Sequence, residues 1–125
     1  MNRIIEIEIA GESYPLNFST KAARAVSDRY GDLTNIGEAF DDKTTVQALD
    51  ELVWMLALLI EQGVAYHKIV NNIDRKILTA EQLEIVLGVS DVVSLKENVM
   101  QAMTSGMARE VETEPEKNAE TTQGA

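Results

Sequence analysis

The sequence predicts an α+β domain, mainly α-helical, in which an N-terminal two-stranded β-hairpin packs on a bundle of about five to six helices. Apolar residues recur at every second position near the N-terminus and at helical spacing from residue 19 onward. The composition changes to acidic and polar after residue 107. We therefore expect one folded domain over residues 1–107 and a disordered acidic tail over residues 108–125.

Residues 3–18 carry the pattern of the hairpin. The segments RIIEIEI and YPLNF both alternate, which places six large apolar side chains on one face: Ile5, Ile7, Ile9, Tyr14, Leu16 and Phe18. Between them, Gly11 can supply the positive φ of a tight turn, and Pro15 marks an edge strand because it cannot donate to a ladder. A lone hairpin is marginal in water, so helices are expected to cover its apolar face.

Helical signals begin at Ser19 or Thr20, either of which can cap a first helix that ends before Gly31. The stripe of this helix is Ala22, Val26 and Tyr30. The following segment, DLTNIGEAF, predicts only a short helix. A long central helix is then expected over residues 45–62, ended by Gly63, with another short helix over residues 64–72.

Two capping boxes predict the last helices. Thr79 with Gln82 opens TAEQLEIVLG, whose core residues are expected to be Leu83, Val86 and Leu87 and whose stop is Gly88. Ser94 with Glu97 is expected to open a final helix that runs to about Met107. The tail beyond it has five Glu against two basic residues and no aromatic residue, so it cannot bury enough surface to order itself.

Composition excludes several functional classes. The chain of 125 residues has a net charge of −10 and no cysteine. Phosphate backbones and anionic membranes repel such a chain, so we expect it to bind neither nucleic acid nor membrane. Disulfides and thiolate metal sites are excluded. The N-terminus lacks the features of a signal peptide, which predicts a cytoplasmic protein.

The central helix contains the longest apolar run, residues 52–60, which is less than half of the roughly 20 residues that span a membrane. Its broad face is the expected core stripe: Val46, Leu49, Leu52, Val53, Leu56, Leu59 and Ile60. Trp54 and Leu58 lie on the opposite side, with Met55 at the flank and polar neighbours that include Gln62. Either another layer of the domain, such as the hairpin or the last helix, or a partner is expected to cover them.

The last helix carries a methionine stripe of Met100, Met103 and Met107. Methionines adapt to irregular apolar surfaces, so this stripe is either the core face of the helix or a contact surface. Together with Trp54, Leu58 and Met55, these methionines are the candidate partner-binding residues.

Catalytic chemistry finds little support in the sequence. The single histidine, His67, has no nucleophile and no orienting acid at helical spacing before it. Glycines occur singly rather than as a phosphate-binding loop, and no metal-ligand spacing is present. We therefore predict no enzyme activity, no cofactor and no metal site.

Three stretches together resemble a known family. They are IEIEIAGESYPLNFSTKAARAVSDRYGDL, LDELVWMLALLIEQG and LTAEQLEIVLGVSDVVSLKENVMQAMTSGM, followed by the acidic tail. In this order they resemble the tail assembly chaperones of siphophages and their prophages, over about residues 3–107.

The resemblance implies a non-enzymatic helper that binds the long, aggregation-prone tape measure protein in the host cytoplasm and helps the major tail (tube) protein gather on it. Family members often exist in two lengths through a translational frameshift, and this chain resembles the short form. The family supplies no catalytic motif, so no residue inherits a role from it.

Two other classes remain open. One is a small acidic phage-encoded regulator or inhibitor that acts by protein–protein binding as a nucleic-acid mimic, which would need carboxylates along one rigid face. The other is an oligomerisation module, which is compatible with the chaperone function because a chaperone can also be a homo-oligomer.

Overall fold

A computed structural model describes residues 3–32 and 45–107. Its elements are two strands, β1 (Ile5–Ile9) and β2 (Glu12–Leu16), and four helices, α1 (Thr20–Tyr30), α2 (Thr45–Asn71), α3 (Ala80–Val86) and α4 (Val89–Gly106). The short helix predicted within residues 32–40 and the disordered tail predicted over residues 108–125 lie outside the described residues.

The predicted hairpin is confirmed. Strands β1 and β2 pair antiparallel with Ile7 opposite Tyr14. The turn consists of Ala10 and Gly11, with φ of 52° and 83°, which is the backbone that a two-residue hairpin turn requires. Five of the six predicted inward-facing side chains are buried, and Ile5 is partly buried. The hairpin therefore contributes one face to the core.

Helix α1 begins and ends where the sequence predicts. The Ser19 hydroxyl accepts a hydrogen bond from the Ala22 N–H at 3.0 Å, which makes Ser19 the cap. Ala22 and Val26 are buried, and Gly31 follows the helix with a φ of 89°. Local signals at both ends of this helix are therefore sufficient to define it.

The predicted end of the central helix at Gly63 is wrong, because α2 continues through Gly63 to Asn71. Gly63 instead provides room for β2: a Cβ added to it would lie 2.7 Å from the carbonyl carbon of Pro15 and 2.8 Å from its Cβ. Glycine permits such close approach of two backbones. The separate helix predicted over residues 64–72 is therefore the second part of α2.

Close approach of β2 to α2 also buries Gln62, which the helical pattern placed on the exposed side. The Asn17 N–H donates to the Leu59 carbonyl at 3.1 Å, and the Asn17 amide donates to the Gln62 carbonyl at 3.2 Å. The Gln62 side chain accepts a hydrogen bond from the Ser19 hydroxyl. A polar side chain at this place is satisfied by the residues between β2 and α1.

Helix α2 is the centre of the core and packs against β2, α1, α3 and α4. The predicted core stripe is confirmed from Leu52 onward, and Met55 is also fully buried. Val46 is an exception: exposure falls along the helix from 66% at Val46 to 5% at Leu52. The first turn of α2 therefore precedes the part of the helix that the described core covers.

The last two helices match the sequence only in part. The Thr79 and Gln82 capping box is present. The box predicted at Ser94 is absent: α4 begins at Val89, and the Gly88 N–H donates to the Asp91 carboxylate at 2.9 Å. Gly88 therefore precedes α4 rather than ending α3, and the Ser94 hydroxyl lies within α4 and donates to a backbone carbonyl.

The fold class, a hairpin with a mainly helical remainder, agrees with the sequence prediction, but the expected five to six helices exceed the four found in residues 3–32 and 45–107. The continuity of α2 accounts for one helix of the difference. Among these residues, no helix is both long and apolar enough to span a bilayer.

A candidate interaction groove beside the central helix

An open apolar groove of about 300 Å³ runs beside α2, and we call it the Trp54 groove. One wall comes from α2 and the other from the connection to α3. Its lining residues are Trp54, Ala57, Leu58, Glu61, Ile77, Leu78 and Thr79. Trp54 and Leu58 are only partly buried, so the described residues do not cover either side chain completely.

Helix α1 fixes the position of the Trp54 ring. The Tyr30 ring contacts Trp54 edge-on at 6.0 Å between centroids, and the Arg29 guanidinium lies 4.4 Å from the centre of the indole. Glu51 fixes both of these side chains, because it accepts hydrogen bonds from Arg29 at 2.9 Å and from the Tyr30 hydroxyl. One side of the indole is thus packed, and the other faces the groove.

These contacts shift two pKa values. The hydrogen bond to Glu51 raises the pKa of Arg29, so Arg29 remains positively charged. Burial, assisted by the Glu51 carboxylate, raises the pKa of the Tyr30 hydroxyl well above its ordinary value. Tyr30 is therefore a neutral hydrogen-bond donor at any physiological pH.

The second wall is held in place by ion pairs to the hairpin. Arg75 donates to both carboxylate oxygens of Glu6, at 2.8 and 3.2 Å, and to the Ser13 carbonyl at 3.1 Å. Lys76 reaches Glu12 at 3.3 Å. The Arg75 guanidinium lowers the pKa of Glu6.

Residues 77–79 follow Lys76 directly and form the second wall of the groove, and Ile77 is 47% exposed.

Glu61 is the charged residue of the groove lining. It is exposed, and within the described residues its carboxylate makes no ion pair and no side-chain hydrogen bond. On α2 it follows Leu58 by three residues, which is about 4.5 Å along the helix axis. An apolar groove therefore has a free negative charge at its edge.

The six residues predicted to bind partners do not form one surface. Trp54 and Leu58 share the groove. Met55 and Met103 are buried in the core, at 0% and 6% exposure, so they offer no surface to a partner. Met100 is partly buried, and it lines a separate depression on α4 together with polar residues. Met107, at the end of α4, is 63% exposed.

Several exposed apolar residues were not predicted as surface. Four lie at the corner between α3 and α4, with exposures of 46–76%: Ile85, Val86, Val89 and Val93. We call them the α3–α4 patch. Val86 was expected in the core, but the short helix α3 buries only Leu83. Ile77 and Leu78 were missed because they lie between helices, where no periodic pattern identifies a buried or exposed face.

His67 lies in a polar cluster rather than in the groove. Its Nε2 is 3.7 Å from a Glu6 carboxylate oxygen, and its Nδ1 is 3.0 Å from the Asn71 amide nitrogen. Across residues 3–32 and 45–107, no group of three or more His, Cys, Asp or Glu side chains is arranged to hold a metal ion. The absence of enzyme activity and of a cofactor remains a prediction.

Comparison of the chain with models of known protein families, with curated proteins and with solved structures finds no match.

Proposed function

We propose that this chain is a phage tail assembly chaperone of the short form, which binds and solubilises the tape measure protein and helps recruit tail tube subunits in the host cytoplasm. The observation that carries the proposal is the Trp54 groove: an open apolar site on the surface of a strongly acidic chain.

The groove suits a helical client. An amphipathic helix binds by laying its apolar face in such a groove, with anchors at helical spacing. Trp54 and Leu58, four residues apart on α2, offer two adjacent contact points of that kind. Completing the burial of each half-buried side chain contributes about 1 kcal/mol. These two contacts together contribute about 2 kcal/mol, so a stable complex also needs contacts elsewhere along the client helix.

The charge of the chain supports solubilisation. A net charge of −10 keeps complexes apart by mutual repulsion, so an apolar client coated with copies of this chain resists aggregation. The exposed side chains of the α3–α4 patch supply a second apolar surface for tube subunits, since they do not line the groove. Recruitment needs a surface for each of two proteins.

The nucleic-acid mimic receives less support. Such a mimic needs a row of free carboxylates on a rigid face, but Glu6 and Glu51 each bind an arginine, and Glu12 binds a lysine. The paired basic side chains largely neutralise the charges of these three carboxylates. An acidic regulator that works through the groove would bind its partner by apolar contact instead.

Co-expression tests the proposed function. The tape measure protein encoded in the same genome should be insoluble alone and largely soluble with this chain. Leu58→Glu should return it to the insoluble fraction, whereas Val93→Glu, the same charge on an exposed residue outside the groove, should leave it soluble. A tape measure protein that stays insoluble with the wild-type chain would contradict the proposal.

A further inference from the structure

The charges around the Trp54 groove are unequal. Arg29 contacts the Trp54 ring, and Arg75 and Lys76 directly precede the second wall. Each of these three basic side chains is already paired with an acid: Arg29 with Glu51, Arg75 with Glu6, and Lys76 with Glu12. Glu61, in contrast, has no partner among the described residues and lies in the lining itself. The unpaired charge of the groove lining is therefore negative.

Any helix that binds in the groove must compensate the negative charge of Glu61. A helix laid over Trp54 and Leu58 reduces the access of water to Glu61, which follows Leu58 by three residues. Burying a carboxylate without a partner is costly, and an opposite charge at hydrogen-bonding distance offsets the cost. A wholly apolar or acidic helix is consequently disfavoured, and so is a second copy of this acidic chain.

We infer that the groove selects an amphipathic helix that places a lysine or arginine against Glu61 while its apolar side chains contact Trp54 and Leu58. This inference rests on the proposed function for its client, and it adds the charge pattern that the bound segment of the client must have. The apolar contacts hold the helix in the groove, and the ion pair determines which helices are accepted.

Two synthetic 18-residue peptides test this selection. Both are helical with the same leucine stripe, and they differ only in the flanking residues, which are lysine in one and glutamate in the other. Trp54 is the only tryptophan of the chain and lies in the groove, so its fluorescence reports binding directly. The lysine peptide should bind and the glutamate peptide should bind at least about tenfold more weakly at low salt.

Variants of Glu61 identify the source of the preference. Glu61→Gln should lower the affinity for the lysine peptide at least about threefold, and Glu61→Lys should make the glutamate peptide the tighter binder. Glu84→Gln is the matched control, because Glu84 is an exposed carboxylate on α3 outside the groove, and it should change neither affinity.

Three results would overturn the inference. They are equal binding of the two peptides, an unchanged preference in Glu61→Lys, and no response of Trp54 to either peptide. If any of them occurs while the chain still solubilises the tape measure protein in a Leu58-dependent manner, the charge selection fails and the proposed function stands. If the peptides behave as expected but the tape measure protein is not solubilised, the groove selects basic helices of another client.

Discussion

Replacing Gly63 by alanine tests the packing of β2 on the middle of α2. At an ordinary position inside a helix, alanine is more stable than glycine by about 1 kcal/mol. Here the added Cβ would lie 2.7 and 2.8 Å from Pro15 carbon atoms, and its carbonyl oxygen is closer still. Relieving this overlap by moving the strand costs about 1–3 kcal/mol.

The same movement weakens the hydrogen bond from the Asn17 N–H to the Leu59 carbonyl, now 3.1 Å, at a further cost of about 0.5–1.5 kcal/mol. A net loss of about 0.5–3.5 kcal/mol remains after the gain of about 1 kcal/mol in helix propensity. In a domain of this size, that loss lowers the midpoint of thermal unfolding by about 2–16 °C.

Thermal unfolding followed by circular dichroism measures this shift. Gly88→Ala is a suitable control, since its added Cβ meets only an Asp91 side-chain oxygen at 3.4 Å, and its midpoint should fall by less. A midpoint of Gly63→Ala equal to or above that of the wild type would show that Gly63 is an ordinary helical glycine, and the account of the β2 contact would be wrong.

Further predictions concern the hairpin, a cap, the charge and the tail. Arg75 lowers the pKa of Glu6 below 4.5, so the pair stabilises the fold above about pH 4.5 and ceases to do so as the pH falls through the lowered pKa. Glu6→Gln should therefore cost up to about 1 kcal/mol at pH 7 and nothing near pH 2, measured as paired melting curves. Ser19→Ala should lower the free energy of unfolding in urea by about 1–2 kcal/mol, because it removes the cap of α1 and a bond to buried Gln62. Gel retardation should detect no binding of duplex DNA at physiological salt. A chain ending near Arg109 should keep its melting midpoint, because the composition of the tail predicts that it does not pack; a fall of several degrees would refute this.

Local signals predicted the elements that depend on neighbouring residues. The alternation of β1, the Ser19 cap and the Thr79 box each involve residues within a few positions of one another, and the structure has all three. Gly63 shows where such signals fail: a glycine that ends a helix and one that admits a strand look the same in sequence. The difference depends on Pro15, which is distant along the chain.

The candidate site, too, could be predicted only in part from the sequence. Helical spacing identified Trp54 and Leu58 as apolar residues outside the core stripe, and both line the groove. The opposite wall could not be foreseen, because it depends on Arg75 binding Glu6 across 69 positions of sequence. Glu61 could not be recognised from the sequence as an unpaired charge, because the structure is needed to show that Arg29 and Arg75 are already paired with other acids.

We propose that the Trp54 groove serves association rather than folding, and the decisive measurement is the affinity of Leu58→Glu for a fragment of the tape measure protein. Leu58 is only partly buried, so the variant should keep its helical circular dichroism and a cooperative melt. Its affinity for the fragment should fall at least about tenfold, since the new carboxylate loses water in the complex alone. Val93→Glu should bind as the wild type does. Unchanged binding by a folded Leu58→Glu, or loss of its fold, would contradict the claim.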